Sequence, residues 1–284
     1  MPLVEKTFIP LGMSLSGMEF SAPVFSIKSG HKGHTFYIQS GLHGGEITFW
    51  ILQELMRYFK DHLVKGNVHF VSCANPYAWL QRSYYYTHGK FSDQDGMDYN
   101  RVFPGKEDGS LNQRIAHALF QKAKDADIVV DLHTSRTSIP FAIYTQKSYS
   151  NLIKHLNLTY NQYHDDSHDP RYQGTLNAQL DLASVPNITL ECGSHDMYCQ
   201  SHIDQCVSSI LNLTYAYDMI AEQPLLPEKE IYTFDNTLKL YASKSGFVNY
   251  KQTIGSSVKQ NNVLCSISTA YDPLSENTIS APCD

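Results

Sequence analysis

The chain has 284 residues, a formal net charge of −6 and a hydrophobic content of 42%. That much apolar sequence can form one large domain, alone or with a small one. Lysine and arginine form no basic stripe, so nucleic acid is not an expected partner. No apolar run approaches membrane-spanning length, and no secretion signal opens the chain. We therefore expect a cytoplasmic protein with no membrane partner.

The first predicted strand-to-helix turn carries a histidine and a glutamate. Residues 35–38 predict a strand, Gly41 interrupts it, and His43 and Glu46 follow. A helix is predicted over residues 46–59, because apolar side chains recur there at helical spacing. These apolar side chains are Ile47, Trp50, Ile51, Leu55 and Phe59. The turn therefore places an imidazole and a carboxylate close together.

Two further strand-like runs end in residues of the same chemistry. Residues 128–132 lead directly into His133, and residues 187–190 lead into Glu191. In open α/β sheets, functional residues gather at the carboxyl ends of the strands. Two histidines and one glutamate are a known ligand set of catalytic zinc, which leaves a fourth position for water. A second acidic group at the same edge would then be the catalytic base, and the pattern predicts a zinc-dependent hydrolase.

The remaining elements up to about residue 225 alternate between strands and helices. Strands are predicted at 68–73 and 141–144, and Ser110 is a plausible N-cap for a helix through Ala123. Further helices are predicted near residues 176–183 and 201–219. This alternation favours a largely parallel sheet covered by helices, so residues 1–225 are predicted to form the catalytic domain.

The pattern changes near Pro227, where short β-type runs separated by turns predict a small all-β domain over residues 226–284. The predicted strands are 231–234, 238–241, 246–248 and 263–267. Residues 242–260 resemble half of a biotinyl/lipoyl-type barrel, but carry no modified-lysine motif, so we expect a structural or pocket-capping role. Because the pattern stops at residues 281–284, we expect the last strands of the natural protein to lie beyond this chain.

Two segments supply arginines suited to an anionic substrate. Arg82 follows an Asn-Pro pair, and Asn100 and Arg101 lie within the sequence Asp-Tyr-Asn-Arg-Val-Phe-Pro-Gly at residues 98–105. A cation can stabilise the oxyanion of a tetrahedral intermediate, and a guanidinium can hold a carboxylate by two parallel hydrogen bonds. Both segments therefore fit hydrolysis of a substrate that carries a carboxylate.

Taken in order, these motifs resemble those of the succinylglutamate desuccinylase/aspartoacylase family, within the zinc carboxypeptidase superfamily. The ordered set is HxxE, NP…R, DxNRxFPG, DLH and a strand-end Glu, and it spans residues 43–191. The resemblance implies an α/β/α sandwich around a mixed, mostly parallel central sheet, followed by a small C-terminal all-β domain.

The resemblance also implies one zinc ion per chain. Its ligands would be His43, Glu46 and His133, which match the family's metal-binding positions. Asp98 matches an acid behind the metal site that would orient a ligand imidazole. The chemistry of the ligands suits zinc, because imidazole nitrogens and carboxylate oxygens are among its preferred donors.

The residues around the substrate follow from the same resemblance. Glu191 matches the general base and acid, and Arg82 matches the arginine that polarises the scissile carbonyl. Asn100 and Arg101 match the pair that grips the substrate carboxylate. The implied reaction is hydrolysis of a small-molecule N-acyl amino acid, or of a related carboxylate-bearing amide, by water activated at the zinc.

Two alternatives use the same residues. A metallocarboxypeptidase or murein-peptide amidase would apply them to a peptide bond, although the absence of a secretion signal and the small β domain weigh against this. A non-catalytic zinc-binding interaction protein would need the ligands alone, and the presence of Glu191 argues against it.

Overall fold

A mixed sheet of nine strands runs through the first of two units into which the chain divides, Met1–Asp235 and Asn236–Asp284. The computed structural model describes residues 1–14, 16–81, 88–135, 139–164, 170–195, 198–222, 224, 232–234 and 238–284. Among these residues, no helix has both the length and the apolar character needed to cross a bilayer. The assignment of residues 1–225 to a catalytic domain and 226–284 to a β domain stays a prediction.

The central strands of this sheet are parallel and its outer strands bring in antiparallel pairs. In chain order the strands are β1 Leu3–Met13, β2 Glu19–Lys28, β3 Thr35–Ser40, β4 Asn67–Val71, β5 Ile128–Ser135, β6 Phe141–Tyr144, β7 Tyr160–Tyr163, β8 Asn187–Ser194 and β9 Tyr232–Phe234. Their order across the sheet is β1-β2-β4-β3-β5-β8-β6-β7-β9. Strands β4, β3, β5 and β8 are parallel, as are β6, β7 and β9, while β1/β2, β2/β4 and β8/β6 are antiparallel.

Helices cover both faces of the sheet. They are α1 Phe49–His62, α2 Pro76–Leu80, α3 Leu111–Ala123, α4 Ser150–Ile153, α5 Leu176–Leu182 and α6 Gln200–Ala216. Successive strand side chains point to opposite faces, so Phe36 and Ile38 share a core with α1 and α6. Tyr37 points the other way and shares a second core with α3 and α5. The predicted α/β/α sandwich with a mixed, mostly parallel sheet is confirmed.

The helix predictions differ in how well they locate the first turn. The prediction for α3 is confirmed, because Ser110 forms a reciprocal capping box with Gln113. The prediction for α1 is wrong at its start, since the helix begins at Phe49 and Glu46 lies in the preceding turn. Trp50 is also 41% exposed, so this residue does not belong to the buried face.

Two strands extend beyond their apolar runs. Backbone pairing between β5 and β8 continues through His133 opposite Glu191 and on to Ser135 opposite Ser194. His133 and Glu191 therefore lie inside their strands, and the expectation that they follow the strand ends is wrong by a few residues. The reason is that ladder hydrogen bonds, which do not depend on side-chain hydrophobicity, hold the strands together past the last apolar residue.

The second unit contains a small antiparallel sheet. Its strands are β10 Phe247–Tyr250, β11 Val263–Ser268 and β12 Asn277–Ser280, in the order β10-β11-β12. The strand predicted at 231–234 is present as Tyr232–Phe234, but it pairs with β7 in the large sheet. The strand predicted at 238–241 is wrong, because these residues form no strand. A short run of β-favouring residues does not specify its partner, and pairing is decided by tertiary context.

Candidate active site

Three side chains from two motifs meet in a buried cluster. The two oxygens of the Glu46 carboxylate each contact one histidine. Oε1 lies 2.8 Å from Nδ1 of His43, and Oε2 lies 2.7 Å from Nδ1 of His133. One donor atom from each residue lies within 4.8 Å of the other two, and all three residues are buried. This group of two imidazole nitrogens and a carboxylate could hold a metal ion.

The turn that carries His43 and Glu46 is built for close approach of two backbones. A Cβ on Gly44 would lie 2.1 Å from the carbonyl oxygen of Ala78, so only glycine fits there. The amide of Glu46 donates to the carbonyl of His43 at 3.3 Å, and the hydroxyls of Ser40 and Thr48 lie 2.7 Å apart. These bonds close the turn before α1 begins and direct Glu46 towards the histidines.

A carboxylate lies behind each histidine. Oδ1 of Asp98 lies 2.9 Å from Nε2 of His43, and Oδ2 of Asp131 lies 2.9 Å from Nε2 of His133. A proton on each Nε2 would leave each Nδ1 unprotonated and free to bind a metal ion, which is the usual arrangement behind metal-binding histidines. The sequence analysis assigned Asp98 but missed Asp131. Its signal was its position two residues before His133 on a strand, which puts both side chains on one face.

The charges in the cluster stabilise one another. Burial alone would raise the pKa of Glu46, but the two imidazoles outweigh it and hold the pKa well below its usual range. Burial opposes ionisation of Asp98 as well, yet its bonds to His43 lower its pKa. Burial alone would lower the pKa of His133, but the charges of Asp131 and Glu46 raise it well above its usual range. Both carboxylates are therefore held in the ionised form, and His133 would release its Nδ1 proton when a cation binds.

Glu191 faces the cluster from the neighbouring strand. It pairs with His133 across β5 and β8, and the hydroxyl of Ser135 donates to its Oε2 at 3.0 Å. Burial is the main cause that raises the pKa of Glu191, with the charge of Glu46 acting in the same direction. A carboxylate whose pKa is raised towards neutrality is suited to general base chemistry.

Of the predicted substrate-binding pair, Asn100 lies beside His133. The Asn100 Nδ2 is 3.5 Å from Nε2 of His133, and the Asn100 side-chain oxygen accepts from the amide of Leu176 at 2.9 Å. Arg101 donates to the carbonyl of Asn100 at 2.7 Å, and its guanidinium lies 5.2 Å from the ring centre of Tyr172. Arg82, the predicted carbonyl-polarising residue, lies outside the described residues.

Lys90 is a cation at the site that the sequence analysis missed. Its Nζ lies 3.7 Å from Oε1 of Glu46 and 3.7 Å from Oδ2 of Asp98. No sequence motif identified it, because it belongs to no predicted helix or strand and its place depends on how a long loop folds.

A sequence comparison decides the family. The model of the succinylglutamate desuccinylase/aspartoacylase catalytic domain matches residues 32–217, which is more than half of the chain. The chain belongs to the succinylglutamate desuccinylase/aspartoacylase family. The match contains every residue of the buried cluster, together with Lys90 and Glu191.

One individual relative matches part of the chain. The N-alpha-acetyl-L-2,4-diaminobutyric acid deacetylase of Halomonas elongata is 32% identical over 147 residues, which are 49% of this chain and 41% of the deacetylase. The chain thus aligns with less than half the length of that relative.

Solved structures share the fold across nearly the whole chain. A succinylglutamate desuccinylase/aspartoacylase family protein from Shewanella amazonensis has a TM-score of 0.84 at 22% identity, over 99% of this chain and 92% of that protein. The product-bound ectoine utilization protein EutE from Ruegeria pomeroyi has a TM-score of 0.84 at 18% identity, over 99% and 88%. At these identities the similarity establishes the fold.

Proposed function

We propose that this chain is a zinc-dependent hydrolase that cleaves the amide bond of an N-acyl amino acid or of a related carboxylate-bearing amide. The observation that carries the proposal is the buried set of His43, Glu46 and His133 with Glu191 on the adjoining strand. Family membership supports a deacylase, and the Halomonas elongata relative is named for removal of an acetyl group from an amino acid. An N-acetyl amino acid is accordingly the first substrate class to test.

The three buried donors would hold one zinc ion, which when bound supplies an acidic water and an electrophile for the carbonyl. His43 and His133 would present Nδ1, because Asp98 and Asp131 each accept a hydrogen bond from Nε2 on the far side of the ring. This double restraint fixes both the tautomer and the ring orientation. Glu46 would supply the carboxylate oxygen.

Glu191 would move the proton. As a carboxylate it takes a proton from the attacking water, whose oxygen bonds to the acyl carbon. As a carboxylic acid it then gives that proton to the amide nitrogen, so that the carbon–nitrogen bond breaks and a neutral amine leaves. Its raised pKa and its hydrogen bond from Ser135 suit a group that must take up and release a proton in one cycle.

Asn100 and Arg101 would recognise the substrate carboxylate. A guanidinium that stacks on an aromatic ring keeps its N–H edge available for an anion, and Arg101 lies over Tyr172 in this way. Arg82 stays a predicted carbonyl-polarising residue. On a peptide, the same pair would grip a free C-terminus, as in the metallocarboxypeptidase alternative.

The test is release of free amine by the zinc-loaded protein. A panel would set N-acetyl, N-succinyl and other N-acyl amino acids, including N-acetyl-2,4-diaminobutyrate, against short peptides with free C-termini. Turnover confined to the N-acyl set supports the proposal, whereas turnover of the peptides alone makes the chain a carboxypeptidase. No turnover of either set would favour a non-catalytic zinc-binding protein.

A glutamine at position 191 tests the mechanism within the same assay. Glu191→Gln is expected to lower kcat about 10²- to 10⁴-fold, the usual contribution of a general base, while the protein keeps its zinc. Full activity in this variant would remove Glu191 from the mechanism. The zinc content of the variant separates loss of the base from loss of the metal.

A further inference from the structure

We propose that the ammonium of Lys90 contacts the oxygen of the scissile carbonyl and stabilises the negative charge that develops on it. This inference rests on the proposed hydrolase function. It assigns the role to a residue that no sequence motif identified, beside or in place of Arg82.

The backbone of Lys90 is anchored to both motifs that build the site. The carbonyl of the preceding residue, Gly89, accepts from the amide of Gly44 at 2.8 Å, and the carbonyl of Lys90 accepts from the amide of Tyr99 at 3.2 Å. The following residue, Phe91, forms an isolated β-bridge with Asp98. Lys90 is therefore held between the turn that carries Glu46 and the segment that carries Asp98.

Gly89 makes this close approach feasible. Its φ is +66°, and a Cβ there would lie 2.4 Å from the carbonyl oxygen of Ala78 and 2.9 Å from the Cα of Gly44. Any side chain at this position would push the Lys90 segment away from the metal-binding turn. The placement of Lys90 thus follows from a specific backbone contact.

The Lys90 ammonium lies close to the site, but its N–H donors are not engaged there. At 3.7 Å from both Glu46 and Asp98, Nζ is attracted by two carboxylates but lies beyond ordinary hydrogen-bond length. Within the described part of the chain Nζ makes no hydrogen bond, and the side chain is 45% exposed. Its donors are consequently available to a ligand that enters from solvent.

The position of the ammonium also relates it to the base. Nζ of Lys90 lies 3.7 Å from Oε1 of Glu46, while Oε2 of Glu46 bonds to His133, which pairs with Glu191 across β5 and β8. A substrate carbonyl bound at the three metal ligands would therefore have the Lys90 ammonium beside the cluster that holds it. An ammonium is a compact charge with three donors, which suits a single developing oxyanion.

The proposed step requires no proton transfer from Lys90. Water adds to the acyl carbon, the carbonyl π electrons move to the oxygen, and Lys90 donates a hydrogen bond to that oxygen. When the carbon–oxygen double bond reforms, the carbon–nitrogen bond breaks and the amine takes its proton from Glu191. Lys90 ends the cycle as it began, as an ammonium.

The test compares Lys90→Met with Lys90→Arg and with Lys124→Met, an exposed lysine outside the site, in the zinc-loaded full chain. Lys90→Met is expected to keep one zinc per chain and to lower kcat about 10²- to 10³-fold, as when one oxyanion donor is removed, with little change in KM. Lys90→Arg should recover most of the rate, and Lys124→Met should match the wild type. A kcat for Lys90→Met equal to that of Lys124→Met would overturn the proposal.

A loss of rate that disappears in excess zinc would also overturn it, because Lys90 would then serve metal retention. If the wild type hydrolyses no substrate, calorimetric titration with inorganic phosphate tests whether Lys90 forms an anion site. Lys90→Met should then weaken phosphate binding about 10- to 100-fold, the value of a hydrogen bond to a charged group. In that case the anion site at Lys90 stands although the proposed function fails, whereas binding unaffected by Lys90→Met, or no phosphate binding by the wild type, rejects the Lys90 proposal as well.

Discussion

The two histidines of the candidate site are oriented by carboxylates that reach them by different routes. His43 is held by Asp98, which lies 55 residues further along the chain, just before the short 3-10 helix Tyr99–Arg101. His133 is held by Asp131, two residues earlier on the same strand. We call these the loop side and the strand side of the site. Both histidines thus contact a carboxylate, but His43 meets one from a distant loop and His133 meets one from its own strand.

The strand side is continued by a buried chain of hydrogen bonds. Oδ1 of Asp131 accepts from Nε2 of Gln39 at 2.9 Å, and Oε1 of Gln39 accepts from the hydroxyl of Tyr37 at 2.9 Å. All three residues lie in neighbouring strands and are almost fully buried. On the loop side, by contrast, Asp98 meets the half-exposed Lys90. Mutations should therefore affect the fold more strongly on the strand side than on the loop side.

The largest expected effect is the same on both sides. His43→Ala and His133→Ala each remove one of three proposed ligands, so both variants should lose zinc on dialysis and, with it, turnover. Atomic absorption on the dialysed proteins measures this. A variant that kept a full equivalent of zinc would show that its histidine is not a ligand.

Replacing the two acids should show a different effect on stability at the two sides. Asp98→Asn and Asp131→Asn are each expected to weaken zinc binding about 10- to 100-fold, because each acid orients a ligand imidazole. Asp131→Asn should in addition lower the free energy of unfolding of the metal-free protein by about 1–3 kcal/mol, the cost of an imperfectly paired buried polar group. Competition with a zinc chelator and urea unfolding measure the two effects, and equal unfolding free energies for the two variants would contradict the comparison.

A matched pair of tyrosines sharpens the difference further. Tyr37→Phe leaves the buried oxygen of Gln39 without its donor and is expected to cost about 1–3 kcal/mol of unfolding free energy. Tyr77→Phe removes a hydroxyl on α2, outside the strand side, that donates to Asp93 at an exposed position, and should cost less than about 0.5 kcal/mol. Urea unfolding compares the two variants, and a larger loss for Tyr77→Phe would contradict the expected sensitivity of the strand side.

The smallest expected effect is a shift in a pH profile. Glu191 must be ionised to act as a base, so kcat/KM should rise with pH as Glu191 loses its proton. The hydrogen bond from Ser135, at the end of the strand side, stabilises the ionised form and lowers the pKa of Glu191 against the dominant effect of burial. Ser135→Ala should therefore move the acid limb of the profile to higher pH. The control, Ser29→Ala, lies in the loop after β2 and should leave the limb unchanged, and a shift to lower pH in Ser135→Ala would contradict the role of the bond.

How much of this site could be predicted from the sequence depends on the type of contact. His43, Glu46, His133 and Glu191 follow apolar strand-like runs, and strand order in a parallel sheet brings such residues to one edge. The two-residue period of a strand identifies Asp131 as a neighbour of His133 on one face, although Asp131 stands within an otherwise apolar run. The position of Lys90 could not be predicted from the sequence, because it depends on long-range backbone hydrogen bonds. Gly89 accepts from Gly44, and Lys90 accepts from Tyr99.

The fold shows the same limits. The layers and the largely parallel sheet follow from the periodicity of apolar residues, which reports which face of an element is buried. The periodicity does not identify the pairing partner of Tyr232–Phe234, because a three-residue strand at a sheet edge carries too few side chains to specify its neighbour. The predicted start of α1 is wrong for a local reason, since the turn that holds Glu46 is closed by the Ser40–Thr48 bond and the contact of Gly44 with Ala78.

The central claim is that one zinc ion held by both sides of the site activates amide hydrolysis. Titration of metal-free protein with zinc, while amine release from an N-acyl amino acid is followed, tests it most directly. The account predicts that activity rises in proportion to added zinc and stops rising at one equivalent per chain. Turnover by the metal-free protein, or activity that shows no break at one equivalent, would contradict it.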